Sequence, residues 1–218
     1  MVYLLPIIIA IISYLIGSLN FSIIISKIIS GKDIRESGSG NAGATNMLRT
    51  HGKKMGVLVL LLDVAKGIAA IYLAALAALF LFPEGADAIR NSLPYIAGVC
   101  VILGHNFPLY FKFKGGKGVA TSLGVVMMLD WRVGLIVMII ALAIMAATRY
   151  VSLGSIIGGG LYIVIEIVKM ITRSADFSAI QLICVIIIGG LLIVRHHANI
   201  KRLINGTENK LGAKKEEK

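Results

Sequence analysis

The chain of 218 residues is unusually apolar and basic for its length. Apolar residues make up 57% of it, only 15% of its residues are charged, and its mean hydropathy is +0.88. Lys and Arg number 22 against 11 Asp and Glu, which gives a net charge of +11. A nucleic-acid-binding protein needs a polar surface on all sides, so this composition excludes that class. It indicates instead a membrane protein whose charge lies outside the lipid.

Seven segments are apolar enough to cross a bilayer, which requires about 20 residues for roughly 30 Å of hydrocarbon. In chain order they cover residues 4–29, 55–82, 91–110, 116–129, 133–147, 151–171 and 177–194. The first is too long for a signal-peptide core, so we expect it to stay in the protein. The pattern predicts an all-α integral membrane protein with seven transmembrane helices. We expect one membrane domain over residues 1–204 and a polar tail over 205–218 that frays.

Basic residues are divided unevenly between the two sides that these spans define. Sixteen Lys and Arg residues lie in the connections and tail on one side, and only Arg90, Arg132 and Arg173 lie in those on the other. Because cytoplasmic loops carry the excess of Lys and Arg, we predict that the N-terminus is outside and the C-terminus is cytoplasmic. Most of the cytoplasmic excess reflects topology and the attraction of the tail to anionic lipid.

Two pairs of opposite charges lie inside the predicted spans. Asp63 and Lys66 are three residues apart, as are Glu166 and Lys169. Ionisable residues within a membrane are often functional, but opposite charges at this spacing neutralise each other on one helix face. We therefore expect both pairs to have a structural role.

The first of three polar segments, SGSGNAGATNMLRT at residues 37–50, has the composition of an anion-binding loop. Glycines allow backbone N–H groups to converge on an oxyanion, and hydroxyl and amide side chains add donors. Arg49 is suited to bind a phosphate with two hydrogen bonds. A flexible linker is the alternative for the glycines and serines alone. The candidate residues are Gly38, Ser39, Gly40, Asn41, Gly43, Thr45, Asn46 and Arg49.

The second segment, GHNFPLYFKFKGGKGVAT at residues 104–121, surrounds Lys117 with Gly115, Gly116 and Gly118. The span that follows has about 14 apolar residues, or roughly 21 Å, so it crosses the lipid only if its N-terminus is recessed. A recessed helix N-terminus beside a lysine is an anion site. The segment does not fit a nucleotide P-loop, because Phe111 and Gly118 stand where that motif needs Gly and Ser or Thr. His105 and Thr121 are further candidates for substrate binding.

The third polar region combines TRYVSLGS at residues 148–155 with RHHANIKRLINGTENK at 195–210. It contributes Arg149, Ser152 and Ser155, and it places His196 and Asn199 three residues apart, on one face if a helix continues there. Residues 37–50, 104–121 and 148–155 contain no Asp or Glu. The site is therefore expected to bind anions and to do little acid–base chemistry, with no metal site and no cofactor.

Together these segments resemble the bacterial acyl-phosphate:glycerol-3-phosphate acyltransferase family, which are integral membrane enzymes of phospholipid synthesis. The resemblance covers essentially the whole chain and rests on GSGNAGATNMLRT, GHNFPLYFKFKGGKGVAT, TRYVSLGSI and HANIKRLINGTENK. It implies transfer of a fatty acyl group from acyl phosphate to glycerol 3-phosphate, which yields lysophosphatidic acid and phosphate. Carried onto this chain, the family's catalytic residues are Ser39, Arg49, Lys117, His196 and Asn199.

The resemblance also implies a setting. The protein would lie in the bacterial cytoplasmic membrane, with its site facing the cytoplasm and membrane lipid around it. Its substrates would be acyl phosphate and glycerol 3-phosphate. The resemblance also allows an association with an enzyme that produces acyl phosphate, and it implies no nucleic-acid partner.

Acyl phosphate is already activated, so positioning and electrostatic stabilisation are expected to suffice without an enzyme nucleophile. Two assignments stay open from sequence. The hydroxyl proton goes to a substrate phosphate or to His196, and either cation, Arg49 or Lys117, can meet either phosphate. A transporter or flippase of a phosphorylated solute is the alternative function, since anion sites at broken helices also occur there. A membrane scaffold is a weaker alternative, because it would not need cations among glycines.

Overall fold

A computed structural model describes residues 4–82, 86–172 and 178–212 of the chain. Within these ranges the chain forms nine α-helices and two short 3-10 turns, Ile34–Glu36 and Leu109–Phe111. The helices are α1 (Leu4–Ser18), α2 (Phe21–Ser30), α3 (Ala44–Leu81), α4 (Asp87–Asn106), α5 (Val119–Leu129), α6 (Trp131–Thr148), α7 (Val151–Thr172), α8 (Ala179–Arg195) and α9 (His197–Ile204). Arg173, the predicted start of the last span at Phe177 and tail residues 213–218 lie outside the described residues.

Five helical segments are long and apolar enough to cross a membrane: α1 with α2, α3, α4 with the turn after it, α6 and α7. Helices α8 and α9 pass the same test only as a pair, and they are bent by 52° with respect to each other. The 11 residues of α5 form a shorter apolar helix. The prediction of an all-α integral membrane protein is therefore supported by five or six candidate spans.

Two of the predicted spans differ from the helices observed. The first is interrupted between α1 and α2, where the Asn20 side chain accepts a hydrogen bond from the N–H of Ile23 and starts a new helix. The second begins at Ala44 instead of residue 55. The polar residues that precede the apolar segment are also helical, so the helix starts before the part that could lie in lipid. Gly52 (φ +83°) kinks this helix between its polar and apolar parts, a conformation that glycine adopts at little cost.

The short helix α5 begins in a buried position. Gly118 precedes it with φ +84°, and Thr121 and Ser122 in its first turns are 0% and 2% exposed. Its length of roughly 16 Å covers only about half of a bilayer's hydrocarbon thickness. This length fits the recessed start that the sequence predicts.

Glycines bring the helices around the site into close contact. A Cβ on Gly17 of α1 would overlap the carbonyl oxygen of Val101 in α4, and one on Gly104 of α4 would overlap that of Tyr14. Between α3 and α5, a Cβ on Gly67 would likewise overlap the Thr121 carbonyl oxygen. Small residues let helices approach closely in a membrane, where hydrophobic burial does not drive them together.

The polar connections converge at one end of the bundle, here called the basic end. The Arg35 guanidinium donates to the carbonyl oxygens of Phe111 and Lys114, and Arg149 donates to that of Leu211. At the opposite end, Lys169 bonds both Asp130 and Glu166. The two predicted ion pairs are confirmed, with 2.8 Å between Lys66 and Asp63 and 2.8 Å between Lys169 and Glu166.

Candidate active site

The first glycine-rich loop, residues 37–43, is shaped by one buried asparagine. The Asn46 side chain is engaged on both sides: Oδ1 accepts from the Ser39 N–H at 2.8 Å, and Nδ2 donates to the carbonyl oxygens of Ile34 and Ser37. Gly38 is left-handed (φ +62°), and a Cβ there would overlap the Asn46 amide. Asn46, which the sequence nominates for substrate binding, therefore holds the loop in shape.

Helix α3 begins immediately after this loop. Gly43 is its N-cap, and no side chain caps its first turn. The first N–H groups of a helix carry partial positive charge and favour anions. Thr45 and Arg49 are four residues apart and so share a face of the helix. Asn41 and Thr45 are half-buried, while Ser39 and Arg49 are exposed, and the Arg49 Nη2 lies 3.4 Å from the carbonyl oxygen of Asn209.

The second glycine-rich loop, residues 112–118, is held from two sides. The N–H groups of Gly115 and Gly116 donate to the carbonyl oxygens of Asn106 and His105 at the end of α4, each at 3.2 Å. From α8, Arg195 donates through Nε and Nη2 to the carbonyl oxygen of Gly116 at 3.3 and 3.0 Å. A Cβ on Gly115 or Gly116 would overlap His105. Lys117 therefore projects from a backbone that is held in place.

Lys117 begins a chain of hydrogen bonds that connects the loop to the segment after α9. Its Nζ donates to Asn199 Oδ1, and Asn199 Nδ2 donates to Glu208 Oε1 at 2.6 Å. The same carboxylate accepts from Ser152 Oγ at 2.8 Å and from Arg202 Nε at 2.7 Å. Three of the nominated residues, Lys117, Asn199 and Ser152, therefore meet in one network.

Sequence reasoning missed two members of this network. One is Arg202, and the other is Glu208. It lies in the segment expected to fray, yet its side chain is only 5% exposed. The turn at Gly206 (φ +69°), closed by a hydrogen bond from the Thr207 N–H to the Arg202 carbonyl oxygen, directs the chain back onto α9. The available signal was one acidic residue among the basic residues of RHHANIKRLINGTENK.

The electrostatics of the network are set by burial and by an excess of cations. Burial lowers the pKa of Lys117 to about 8; Glu208 opposes this shift, while Arg202, Arg49 and Arg195 add to it. Burial alone would raise the pKa of Glu208, but hydrogen bonds from Asn199, Ser152 and Arg202 outweigh that effect and lower it. A dianionic ligand here would restore charge balance and favour the charged form of Lys117.

His196 lies at the bend between α8 and α9 and is 3% exposed. Its Nδ1 lies 2.6 Å from the carbonyl oxygen of Leu192, which can only accept, so Nδ1 carries a hydrogen. In the neutral ring Nε2 is then the free acceptor. The preceding residue, Arg195, places its guanidinium 5.0 Å from the centre of the Phe107 ring.

Four further nominated residues, Arg149, Ser155, Thr121 and His105, lie outside the Lys117 network. Arg149 is exposed and left-handed (φ +63°), and it donates to the carbonyl oxygen of Leu211. Ser155 Oγ donates to the Val151 carbonyl oxygen within α7, and the buried Thr121 Oγ1 has no hydrogen-bond partner among the described residues. His105 is buried, with Lys66 Nζ at 2.9 Å from Nδ1.

The arrangement is suited to bind phosphate groups. Lys117, Arg49, Arg195 and Arg202 outnumber the carboxylate of Glu208, and the first turns of α3 and α5, which no side chain caps, add backbone N–H groups. Within residues 4–82, 86–172 and 178–212, no three His, Cys, Asp or Glu side chains are grouped as a metal site requires.

Comparison with known proteins agrees with this geometry. Residues 7–206 match the family model described as glycerol-3-phosphate acyltransferase. A protein of that name from Clostridioides difficile (strain 630) is 43% identical over 210 residues, covering 96% of this chain and 97% of its own. One from Shouchella clausii (strain KSM-K16) is 45% identical over 205 residues, covering 92% of this chain and 93% of its own.

Two solved structures are similar over nearly the whole length. The crystal structure of PlsY (YgiH), an integral membrane glycerol 3-phosphate acyltransferase in its glycerol 3-phosphate form, superposes with a TM-score of 0.80 at 39% identity, covering 95% of this chain and 96% of that one. Its lysophosphatidic acid form superposes with a TM-score of 0.75 at 37% identity, covering 95% of each chain. The chain belongs to the glycerol-3-phosphate acyltransferase family.

Proposed function

We propose that this membrane enzyme transfers a fatty acyl group from acyl phosphate to glycerol 3-phosphate, in the first step of phospholipid synthesis. The observation that carries the proposal is the network of Lys117, Asn199 and Glu208 beside two glycine-rich loops. Its cations and backbone donors suit two phosphate-bearing substrates, and the related PlsY has been solved in glycerol 3-phosphate and lysophosphatidic acid forms.

The reaction needs no covalent enzyme intermediate. A hydroxyl oxygen of glycerol 3-phosphate forms a bond to the acyl carbonyl carbon, and the bond from that carbon to the phosphate oxygen breaks. The phosphate leaves with the electron pair, and the hydroxyl proton passes to a substrate phosphate oxygen. The products are lysophosphatidic acid and inorganic phosphate, and the enzyme contributes orientation and charge stabilisation.

Particular residues have distinct roles in this scheme. Lys117 and the first N–H groups of α5, which no side chain caps, stabilise the departing phosphate. Arg49 holds a substrate phosphate above the first turn of α3. Ser39 donates from the exposed loop, and Asn199 orients Lys117. His196 binds and orients through Nε2, because its Nδ1 is engaged by Leu192. The rival role for His196 is general base.

The proposal includes a membrane topology. Seven spans, with α5 as the recessed fourth and α8 as the last, leave the N-terminus outside and the C-terminus in the cytoplasm of a bacterium. The basic end then faces the cytoplasm, where soluble glycerol 3-phosphate enters and cationic loops meet anionic lipid. We count residues 1–204 as the membrane domain, with Glu208 of the tail completing its site. An acyl-phosphate-producing enzyme is the expected partner.

A direct assay tests the activity. Purified protein in detergent receives synthetic palmitoyl phosphate and labelled glycerol 3-phosphate, and labelled lysophosphatidic acid is the expected product. Palmitoyl-CoA in place of palmitoyl phosphate is the matched control, and it is expected to give no product. Absence of lysophosphatidic acid, together with uptake of glycerol 3-phosphate into liposomes that contain the protein, would overturn the enzyme and favour a transporter.

A further inference from the structure

Three ionisable side chains that the proposed reaction does not use form a buried cluster next to the two loops. Asp63, Lys66 and His105 are 2%, 4% and 3% exposed. Asp63 and Lys66 lie on α3, and His105 lies on the last turn of α4. Buried charges are costly in a membrane bundle, so their neighbours indicate what they do there.

The Lys66 side chain joins the interruption between α1 and α2 to the end of α4. Its Nζ donates to the carbonyl oxygens of Gly17 and Leu19, at 3.1 and 2.9 Å, and lies 2.9 Å from His105 Nδ1. These carbonyls belong to the break between the helices, where backbone oxygens lack helical partners and need a donor. Asp63 Oδ1, 2.8 Å from Nζ, supplies the opposite charge.

These contacts determine the tautomer of His105. Asp63 Oδ1 lies 2.8 Å from Lys66 Nζ and 3.6 Å from His105 Nδ1, so the nearer Lys66, as the ammonium form, is the countercharge of this buried carboxylate. An ammonium has no lone pair, and therefore Nδ1 of His105 accepts from it and the ring hydrogen is on Nε2. That nitrogen faces Gly116, where a Cβ would overlap both Nε2 and the Ala42 carbonyl oxygen.

The cluster therefore lies where the two loops meet. Ala42 belongs to the first loop and Gly116 to the second, and Gly116 lies against both the Ala42 carbonyl oxygen and the His105 ring. Asn20, which starts α2, donates from Nδ2 to the same Ala42 carbonyl oxygen at 3.4 Å. Lys66 thus bonds the break that carries Asn20 and also orients the His105 ring against Gly116.

We infer that Asp63, Lys66 and His105 form a positioning unit that sets the spacing of the two glycine-rich loops and thereby of the two substrate phosphates. The inference rests on the proposed acyl transfer, and it assigns these residues no contact with substrate. Loss of the unit leaves a folded bundle whose phosphate sites are displaced. Small displacements of this kind raise KM and lower kcat/KM, because reaction requires the two substrates in register.

The double variant Asp63→Asn/Lys66→Met separates positioning from folding, because it removes both charges together and leaves no buried ion unpaired. We expect a KM for glycerol 3-phosphate raised about 10-fold and a kcat/KM lowered about 100-fold. The thermal midpoint in detergent should fall, because the carbonyl oxygens of Gly17 and Leu19 lose their donor, but the variant should remain folded. Glu166→Gln/Lys169→Met, the same neutralisation at the opposite end, is the matched control and should leave both kinetic constants unchanged. Parental kinetic constants in Asp63→Asn/Lys66→Met would overturn the inference.

A second pair of variants covers the case in which the double variant does not fold. His105→Asn keeps an acceptor for Lys66, whereas His105→Leu keeps more of the side-chain volume without one. We expect His105→Asn to retain a kcat/KM about 10-fold above that of His105→Leu at similar thermal midpoints. Equal kcat/KM values for the two variants, or a higher value for His105→Leu, would overturn the inference and show that the cluster contributes only packing. The parent protein is assayed in parallel, so its failure to make lysophosphatidic acid would count against the proposed function and not against the positioning unit.

Discussion

Two ion pairs with the same spacing lie at opposite ends of the bundle, and their surroundings differ. At the basic end, the Lys66 ammonium donates hydrogen bonds to two backbone carbonyl oxygens and to a histidine, all next to the glycine-rich loops. At the opposite end, Lys169 bonds two carboxylates, at 2.7 Å to Asp130 and 2.8 Å to Glu166. The first pair joins backbone segments that hold the site, whereas the second joins α7 to the start of α6.

This difference shows that charge spacing on one helix predicts neutralisation and nothing more. The role of each pair depends on what the other helices place against it. Asp130, for example, also accepts from the N–H groups of Arg132 and Val133 and so caps α6. Substitutions at the basic end should therefore change kinetic constants, and those at the opposite end should change stability alone.

The largest effect is expected for Lys117→Met. Removing the ammonium from the hydrogen-bond network leaves the departing phosphate without its main countercharge, and kcat/KM should fall about 1000-fold. Lys112→Met is the matched control, since Lys112 is exposed on the same loop. Its kinetic constants should match those of the parent. Steady-state formation of lysophosphatidic acid measures both, and equal losses in the two variants would contradict a specific role for Lys117.

His196→Gln is expected to have an intermediate effect. The variant should retain several percent of the parental kcat, because the hydroxyl proton goes to a substrate phosphate and the imidazole only orients. Steady-state kinetics with saturating palmitoyl phosphate measures kcat and KM. A kcat lowered by about 10000-fold with unchanged KM would instead identify His196 as the general base.

The pH dependence sharpens the comparison further. Because the pKa of Lys117 is lowered to about 8, its cation is present below that pH and is lost as the pH rises through it. The kcat/KM for glycerol 3-phosphate, which reports the free enzyme, should fall about 10-fold per pH unit above the pKa. Lys117→Arg should remove this limb, since a guanidinium stays charged. A parental profile that is flat up to pH 10 would refute the assignment.

Glu208→Gln tests how the carboxylate of Glu208 affects the pKa of Lys117. The carboxylate raises the pKa of Lys117, so its loss should move the alkaline limb to lower pH. The carboxylate accepts hydrogen bonds from Asn199, Ser152 and Arg202, whereas the Gln side chain would place an NH₂ donor against one of these donors. This loss of a hydrogen bond should cost about 1–3 kcal/mol of stability. The measurements are a pH profile and a thermal midpoint. An unmoved limb in a folded variant would show that Glu208 acts through packing.

The smallest effect is expected at the opposite end, for Ser178→Ala. Ser178 caps α8 through the Gln181 N–H and bonds Ser92 Oγ at 3.0 Å, so its loss should cost about 1 kcal/mol. Thermal unfolding measures this, and kcat and KM should stay at parental values. Asn46→Ala is the counterpart at the basic end, and there KM for glycerol 3-phosphate should rise as well. A kinetic effect of Ser178→Ala would break the division between the two ends.

Much of the candidate site was predictable, because its glycines and cations lie in short segments with a recognisable chemistry. Lys117, Asn199 and Ser152 were nominated from sequence and meet in the structure. The roles of Asn46 and His105 were not predictable, since an amide or an imidazole in a polar segment binds a ligand or supports a loop equally well. Glu208 was missed because polar composition alone describes a free tail and a folded one identically.

Hydropathy, charge and motif spacing are local properties, and by themselves they determined the membrane-spanning helical class, the two glycine-rich loops and the family resemblance. The tertiary structure decided which polar groups meet. Lys117 and Asn199 are 82 residues apart, and Arg195 is 79 residues from the Gly116 carbonyl that it holds. Such contacts depend on how α4, α5, α8 and α9 pack, and in a bilayer that packing follows from close glycine contacts and from the need to pair every buried polar group.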